Sequence, residues 1–564
     1  MKVVIVGGVA GGASAATRIR RLDEQAEIII FERSGFVSYA NCGLPYYVGD
    51  VITDPADLTV QTPESLHRRF RIDVRVGHEV TGIDTDCKKV TVKNLSTGET
   101  FEESYDKLIL SPGAKAVKPR IVGREDKIFT LRTVEDTLRI KEYIKREKPN
   151  TAVLAGGGFI SLELAENLRG LGIDVTVVQS GSQLMNPFDP EMAAFIHSEL
   201  RRNGVKLIFG NTVSEINGGA EGVEVTLDKG CKLYADMAAL AIGVTPDTEL
   251  AKNAGLKLGR KESIVVNDRM ETSAPDVYAV GDAVQVKNLV VGEGDLISLA
   301  GPANKQGRIA ADNVCGMDSR YHGSQGSSVI KIFDLTAAST GINEKTAKKA
   351  GIDADSVILS PMSHAGYYPG GMVMTMKVVF EKKTFRLLGA QIIGYDGVDK
   401  RIDVLATAIR AGVRASDLGE LELAYAPPYS SAKDPVNMAG FMIDNIENGI
   451  LKQWHVRDAE TLPRDGSVTL LDTRTAREYQ RGHIDGFLNI PVDELRDRLG
   501  EIDPSKPVYV ICQSGLRSYI SCRILEGNGY TAYNFAGGYR FYDAVMNDRK
   551  MVKSATACGM DKII

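Results

Sequence analysis

The stretch Lys2-Val3-Val4-Ile5-Val6-Gly7-Gly8-Val9-Ala10-Gly11-Gly12-Ala13-Ser14 decides the fold. Lys2 to Val6 is a short apolar run suited to a buried parallel strand, Gly7 to Gly12 reads as a turn, and Ala13 to Leu22 reads as a small-residue helix. A second strand, Glu27 to Phe31, ends at the acid Glu32. Strand, glycine turn, helix and acidic strand end together form a dinucleotide-binding fingerprint. Gly7 allows the tight turn, Gly11 and Gly12 let backbone and helix approach a pyrophosphate, and Glu32 is placed to take a ribose 2′-OH with Arg33 beside it. Val9 stands where the motif usually has its middle glycine, so this turn alone also fits a merely tight strand-to-helix connection.

The pattern recurs. Ala152 to Ala155 leads into Gly156-Gly157-Gly158-Phe159-Ile160-Ser161-Leu162-Glu163, and the next strand runs from Asp174 to Val178. Two fingerprints imply two dinucleotides, with Gly156, Gly158, Ile160 and Glu163 as contacts for the second. Gln179 closes that second strand where an acid would select NADH, and no arginine follows to select NADPH, so coenzyme preference stays open. In Thr272 to Ala283, a strand and Gly281 deliver Asp282 to where a carboxylate can hold the ribityl hydroxyls of a flavin. With Leu110-Ser111-Pro112-Gly113-Ala114 and Ala241-Ile242-Gly243-Val244-Thr245-Pro246, these landmarks over about 1–445 resemble the two-dinucleotide-binding flavoprotein family. The resemblance implies FAD, NADH or NADPH as cosubstrate, and Ser111, Gly113 and Gly243 as further cofactor contacts.

Cys42 lies in Ser38-Tyr39-Ala40-Asn41-Cys42-Gly43-Leu44-Pro45-Tyr46, with no second cysteine before Cys87. A thiol without a resolving partner must do its redox chemistry against a sulfur brought from outside. This stretch resembles the single-cysteine motif of the coenzyme A disulfide reductases and NAD(P)H-dependent persulfide reductases. The resemblance implies a mixed disulfide or a retained sulfur at Cys42 and coenzyme A as bound thiol or substrate. It also implies coenzyme A contacts at Ser14, Arg18 and Arg21, which share a face of the first helix, at Ser38 and Asn41 near the sulfur, and at Gln61 and Lys433. Tyr367 and Tyr425 match tyrosines that such reductases supply from the partner subunit, so a homodimer is implied. Single-cysteine NADH oxidases and peroxidases share the fold and would carry a sulfenic acid at Cys42. A non-catalytic persulfide carrier or redox sensor is the other alternative.

From residue 455 the chain changes character. Val468 to Arg474, Glu478-Tyr479 and Gly482 to Pro491 resemble the entry of a rhodanese domain, and Val508-Tyr509-Val510-Ile511-Cys512-Gln513-Ser514-Gly515-Leu516-Arg517-Ser518 resembles its active loop. A strand delivers Cys512 into a loop whose N–H groups can surround the sulfur, and Arg517 adds charge for an anionic sulfur donor. The resemblance implies that Cys512 accepts and relays sulfane sulfur; an inactive, purely structural rhodanese fits the same residues. Asn445 to His455 spans roughly 35 Å at about 3.3 Å per residue, so a diffusible carrier such as coenzyme A or its persulfide is the simpler link between Cys512 and Cys42.

These motifs give an α/β chain: a two-dinucleotide-binding-domain flavoprotein fold with an α+β dimerisation domain and a C-terminal α/β rhodanese domain. The boundaries read as 1–149 with 264–324 for FAD, 150–263 for NAD(P), 325–445 for dimerisation, 446–460 as linker, 461–552 as rhodanese and 553–564 as tail. Several domains are what 564 residues imply. A net charge of −5 argues against a nucleic-acid binder, and no run of 18 apolar residues suggests a membrane span. Of the seven cysteines, Cys87, Cys231 and Cys315 carry no motif and Cys522 reads as core, while Cys558 reads as a resolving thiol or part of a disordered tail. Their scatter, without paired spacing, fits a reducing compartment and a cytoplasmic protein with no structural metal.

Overall fold

Val3, Val4 and Ile5 are fully buried, as a strand hydrogen-bonded on both sides and covered on both faces requires. The strand Lys2–Val6 is the middle of a five-stranded parallel sheet ordered Val277–Ala279, Lys107–Leu110, Lys2–Val6, Glu27–Glu32, Asp73–Val76. A second parallel sheet repeats the plan with Thr151–Ala155 in the middle, in the order Ile128–Thr130, Met237–Leu240, Thr151–Ala155, Asp174–Gln179, Lys206–Phe209. The computed structural model describes residues 1–555 and 558–560, which fall into two compact units. Both sheets belong to the unit formed by 1–182, 204–326 and 558–560.

The other unit contains 183–203 and 327–555. Its antiparallel sheet, ordered Ser328–Ile332, Leu335–Gly341, Leu387–Gly394, Thr375–Glu381, Ala354–Leu359, is buried along nearly all of Leu387–Gly394. Lys377 is wholly buried in this sheet, with Asp189 at 2.7 Å, Glu191 at 2.5 Å and Glu344 at 3.1 Å. The helix Pro190–Arg202, inside the segment read as NAD(P)-binding, groups with this unit. It also meets the last helix, Gly538–Lys553, through Phe195 on Phe541 and through Asp548, which accepts from His197 and Arg201.

The C-terminal sheet is parallel, ordered Gln453–Trp454, Ala532–Phe535, Val508–Ile511, Thr469–Asp472, Leu488–Asn489. The stretch read as a plain linker therefore contributes an edge strand. Trp454 explains it: the indole is buried with its ring centroid 4.4 Å from that of Phe535.

Three further expectations are corrected. The first helix begins at Ala10, so Gly11 and Gly12 lie in its first turn; Val9 takes the preceding position with an ordinary negative φ of −95°, which needs no glycine. Cys231 and Cys558 are bonded to each other across 327 residues, so the cysteines are not all unpaired. Cys558 is accordingly neither a free resolving thiol nor part of a loose tail. The tail adds a bridge between Ile208 and Met560, and the Cys558 carbonyl accepts from Asn211 at 2.6 Å. Residues 556–557 and 561–564 of the stretch read as tail lie outside the described residues.

Candidate functional site

Parallel register brings distant motifs together. Val6 pairs with Leu110 and Leu110 with Ala279, so Gly7, Ser111 and Gly281 follow three adjacent strand ends. This carboxyl edge is where doubly wound sheets bind nucleotides. Gly7 has a φ of +92°, and a Cβ there would lie 2.1 Å from the Ser111 carbonyl oxygen. The second sheet repeats the device: Gly156 has a φ of +107°, and its Cβ would lie 2.1 Å from the Ala241 carbonyl oxygen. The backbone bonds match as well, Gly7 donating to Phe31 at 2.9 Å and Gly156 to Val178 at 2.8 Å. Gly11 and Gly12 answer to neighbours inside the chain, since a Cβ would come within 2.8 Å of Val280 and 1.9 Å of the Gly7 oxygen respectively.

Both helices that follow these turns, Ala10–Leu22 and Phe159–Gly170, start with no side-chain cap and no acid in the first turn. Their leading N–H groups are donors of the kind a phosphate satisfies. Open space surrounds the Cβ positions of Gly113, Gly158 and Gly243. Glu32 is buried, accepting from Gly8 N–H and Ser34 N–H at 2.9 Å each, so it fixes the turn. Arg33 pairs with Asp247 at 2.9 Å and Asp282 with Arg132 at 3.3 Å. Ile160 and Glu163 lie in the first two turns of the helix Phe159–Gly170, and Gln179 ends the strand Asp174–Gln179.

Cys42 sits in the short turn Asn41–Gly43, exposed and free of any disulfide. Its sulfur reaches solvent at one side, while the surrounding protein partly desolvates it and pushes the thiol above its ordinary range; Glu163 and Asp282 add to the rise. Glu163 is itself raised to about 7 by burial and by Glu166. Tyr46 is raised to about 12 by burial, Glu163, Glu166 and Cys42. Glu163 thus bears on both the Cys42 sulfur and Tyr46, which stands in the quoted Cys42 stretch, and Glu166 is the participant that sequence reasoning did not single out. Ser38, four residues before Cys42, is held at a φ of +48° by its N–H donating to Gly8 and its carbonyl accepting from Val60.

The coenzyme A candidates separate. Ser14 donates to Asn304 at 2.7 Å and Arg18 to Asp312 at 2.7 Å, both fastening the first helix to Ala300–Val314. Arg21 and Asn41 are exposed, Gln61 accepts from Ser65 at 2.8 Å, and Lys433 is exposed. Arg20, which was not singled out, is buried and donates to five backbone carbonyls, those of Phe70, Asp23, Glu24, Ala26 and Arg71. Tyr367 and Tyr425 do come together: their hydroxyls lie 2.6 Å apart, with the side chains 75% and 45% exposed.

In its loop Cys512 is fully buried, and its sulfur accepts from Gly515 N–H at 3.1 Å and Ser518 Oγ–H at 3.2 Å. Gly515 has a φ of +101°, which turns the loop into the helix Leu516–Gly527. A Cβ on Gly538 would lie 2.6 Å from the Ser514 nitrogen, so that glycine lets the closing segment pack on the loop. Arg517 does not stand free for a donor. It forks onto Glu478, Nη2 to Oε1 at 2.7 Å and Nη1 to Oε2 at 2.8 Å. Ser518 and Glu478 stand within quoted motifs, but their partners follow only from the fold.

The pyridine nucleotide-disulphide oxidoreductase model matches residues 1–307, more than half of the chain. The chain belongs to that family. The dimerisation model of pyridine nucleotide-disulphide oxidoreductases matches 327–435, and a rhodanese-like domain matches 455–544. A coenzyme A disulfide reductase of Staphylococcus epidermidis is 39% identical over 441 residues, 78% of this chain and 99% of the relative. The structure of reduced Bacillus anthracis CoADR-RHD is 48% identical with a TM-score of 0.94, covering 97% of this chain and 98% of that one. That of an NAD-dependent persulfide reductase from A. fulgidus is 37% identical with a TM-score of 0.89, covering 96% and 100%. FAD and NAD(P)H are the cofactors of pyridine nucleotide-disulphide oxidoreductases, and the residues present fit them: two uncapped helix starts, open space at Gly113, Gly158 and Gly243, and acids at Glu32 and Asp282. Among the described residues no helix is long and apolar enough to cross a membrane.

Proposed function

We propose that this pyridine nucleotide-disulphide oxidoreductase uses NADH or NADPH to reduce sulfane sulfur, as coenzyme A persulfide or polysulfide, and coenzyme A disulfide, through Cys42. Cys512 accepts sulfane sulfur from a donor and passes it on, directly or on a coenzyme A carrier. The observation that carries the reading is a free, exposed Cys42 thiol with no disulfide partner, in a chain that has two glycine-turn nucleotide folds and also a buried, hydrogen-bonded loop cysteine. Bound FAD and NAD(P)H would supply the reducing electrons. The chain's own part is to present Cys42 to a substrate sulfur, where attack forms a Cys42–sulfur bond and expels a thiolate or sulfide. The Tyr367–Tyr425 pair is suited to giving a proton to such a leaving group. In this reading the pair serves the partner subunit's site in a homodimer, and the remaining candidates, Ser14, Arg18, Arg21, Ser38, Asn41, Gln61 and Lys433, hold coenzyme A in a cytoplasmic enzyme.

Anaerobic sulfide release from coenzyme A persulfide tests the proposal. Cys42→Ser should abolish it while the purified protein keeps its flavin; undiminished release would overturn the role of Cys42. Comparing kcat/KM for coenzyme A persulfide, coenzyme A disulfide, oxygen and peroxide separates this reading from an NADH oxidase or peroxidase, for which oxygen or peroxide would be the efficient acceptor.

A further inference from the structure

Two arginines stand next to the Cys512 loop, and each is already paired. Arg474, 1% exposed, follows the strand Thr469–Asp472, whose neighbour Val508–Ile511 delivers Cys512. Its Nε and Nη2 donate to the Asp472 carboxylate at 3.0 and 2.7 Å, and its guanidinium lies 3.7 Å from the Tyr539 ring centroid. Arg517, in the first turn after the loop, is clamped by Glu478. Bidentate guanidinium–carboxylate pairs have the best geometry open to an exposed ion pair. Here the carboxylate is also fixed from behind: Glu478 accepts from Thr475 N–H at 2.9 Å and Thr475 Oγ1–H at 2.8 Å in the capping box that starts the helix Ala476–Arg481. The Arg517 hydrogen bonds, ahead of the Thr475 bonds, hold Glu478 down at about 2, so its charge is present at every working pH.

The two side chains are 30% and 29% exposed, so the pair is accessible to an incoming donor. A dianion must compete with Glu478 for the same N–H groups and bear its repulsion. We propose that Glu478 is a specificity-determining residue of the rhodanese module: by occupying Arg517 it disfavours dianionic inorganic donors and leaves Cys512 to carbon-bound persulfides. The inference rests on the reading that Cys512 accepts sulfane sulfur. With thiosulfate, the Cys512 thiolate attacks the outer sulfur, the donor S–S bond breaks, and sulfite leaves with the electron pair, giving Cys512–S–S⁻. With an organic persulfide, R–S–S⁻ and Cys512–SH give Cys512–S–S⁻ and R–SH: the same bonds exchange, R–S⁻ leaves and takes up the Cys512 proton. Neither exchange needs an added oxidant or reductant.

Coulomb energy is linear in donor charge, so removing one negative charge helps a dianion about twice as much, on a logarithmic scale, as a monoanion. The test is rapid-quench intact mass of the flavin-loaded, full-length protein, following addition of one sulfur at Cys512 from thiosulfate or from 2-hydroxyethyl persulfide, with Cys512→Ser as the site control. Glu478→Gln, which keeps an oxygen for Thr475, should speed loading from thiosulfate roughly tenfold and from the persulfide roughly threefold, the scale of one screened surface charge. The gain should shrink at high salt and vanish in the Glu478→Gln/Arg517→Ala double variant, whereas Glu478→Asp should restore the original donor ratio. Equal effects on both donors, as a purely structural change would give, would overturn the proposal. Loading from neither donor in the unsubstituted protein would instead refute the reading beneath it.

Discussion

Replacing Lys377 by methionine removes a wholly buried ammonium from between three carboxylates while keeping most of the side chain's length and apolar volume. The cost follows from what is left. Asp189 keeps the Gln391 amide at 2.8 Å, and Glu344 keeps Arg457 and Ser356, each at 2.9 Å. Glu191 loses its 2.5 Å contact with the ammonium, and Asp189, 2% exposed, loses one at 2.7 Å. Leaving buried charge without its partner costs about 3–5 kcal/mol. The pH dependence gives the sharper test. Burial pushes Glu344 up, yet Lys377 and Arg457 hold it below its ordinary range, so its contribution is present above the unfolded pKa and fades as pH falls. Burial likewise pushes Lys377 down, but Glu191, Asp189 and Glu344 raise it, so its share is intact below its unfolded pKa of about 10.4 and is lost only as pH rises through the higher folded value. In Lys377→Met the ammonium that helps hold Glu344 below its ordinary range is gone, so the gap to the parent should be widest above the carboxylate range and narrow as pH falls into it. Urea unfolding followed by the single tryptophan, Trp454, which lies in the same compact unit, reads the effect. A gap below about 1 kcal/mol, the ordinary mutational scale, or one that widens on acidification, would refute the reasoning.

Two further outcomes follow from the sulfur sites. Glu163→Gln should shift the pH profile of Cys42 alkylation to lower pH, because one of the carboxylates that oppose the thiolate is gone; an unchanged or higher midpoint would count against that opposition. Ser518→Ala removes one of two donors to a buried sulfur, a loss of about 0.5–1.5 kcal/mol. It should slow persulfide formation at Cys512 several-fold without changing NAD(P)H oxidation by small acceptors, measured by mass and by absorbance; an equal loss in both would point to general damage.

Much of the site was legible because its signals are local. A strand, a glycine at positive φ and an uncapped helix fit within about fifteen residues, so Gly7 and Gly156 announced the two nucleotide folds and Cys512 its loop before any contact was known. Even there, Gly11 and Gly12 proved to answer to Val280 and the Gly7 oxygen, neighbours inside the chain. The sequence by itself thus determined the module order, the turns and the lone cysteine, since turn chemistry and apolar period act over short range. Only the tertiary structure decided which groups meet: Glu478 with Arg517, Tyr367 with Tyr425, and Cys231 with Cys558. Each is a choice among many chemically equivalent partners, made by strand register and helix packing. A guanidinium that reads as a free anion site in sequence is, once folded, already paired with a carboxylate 39 residues away.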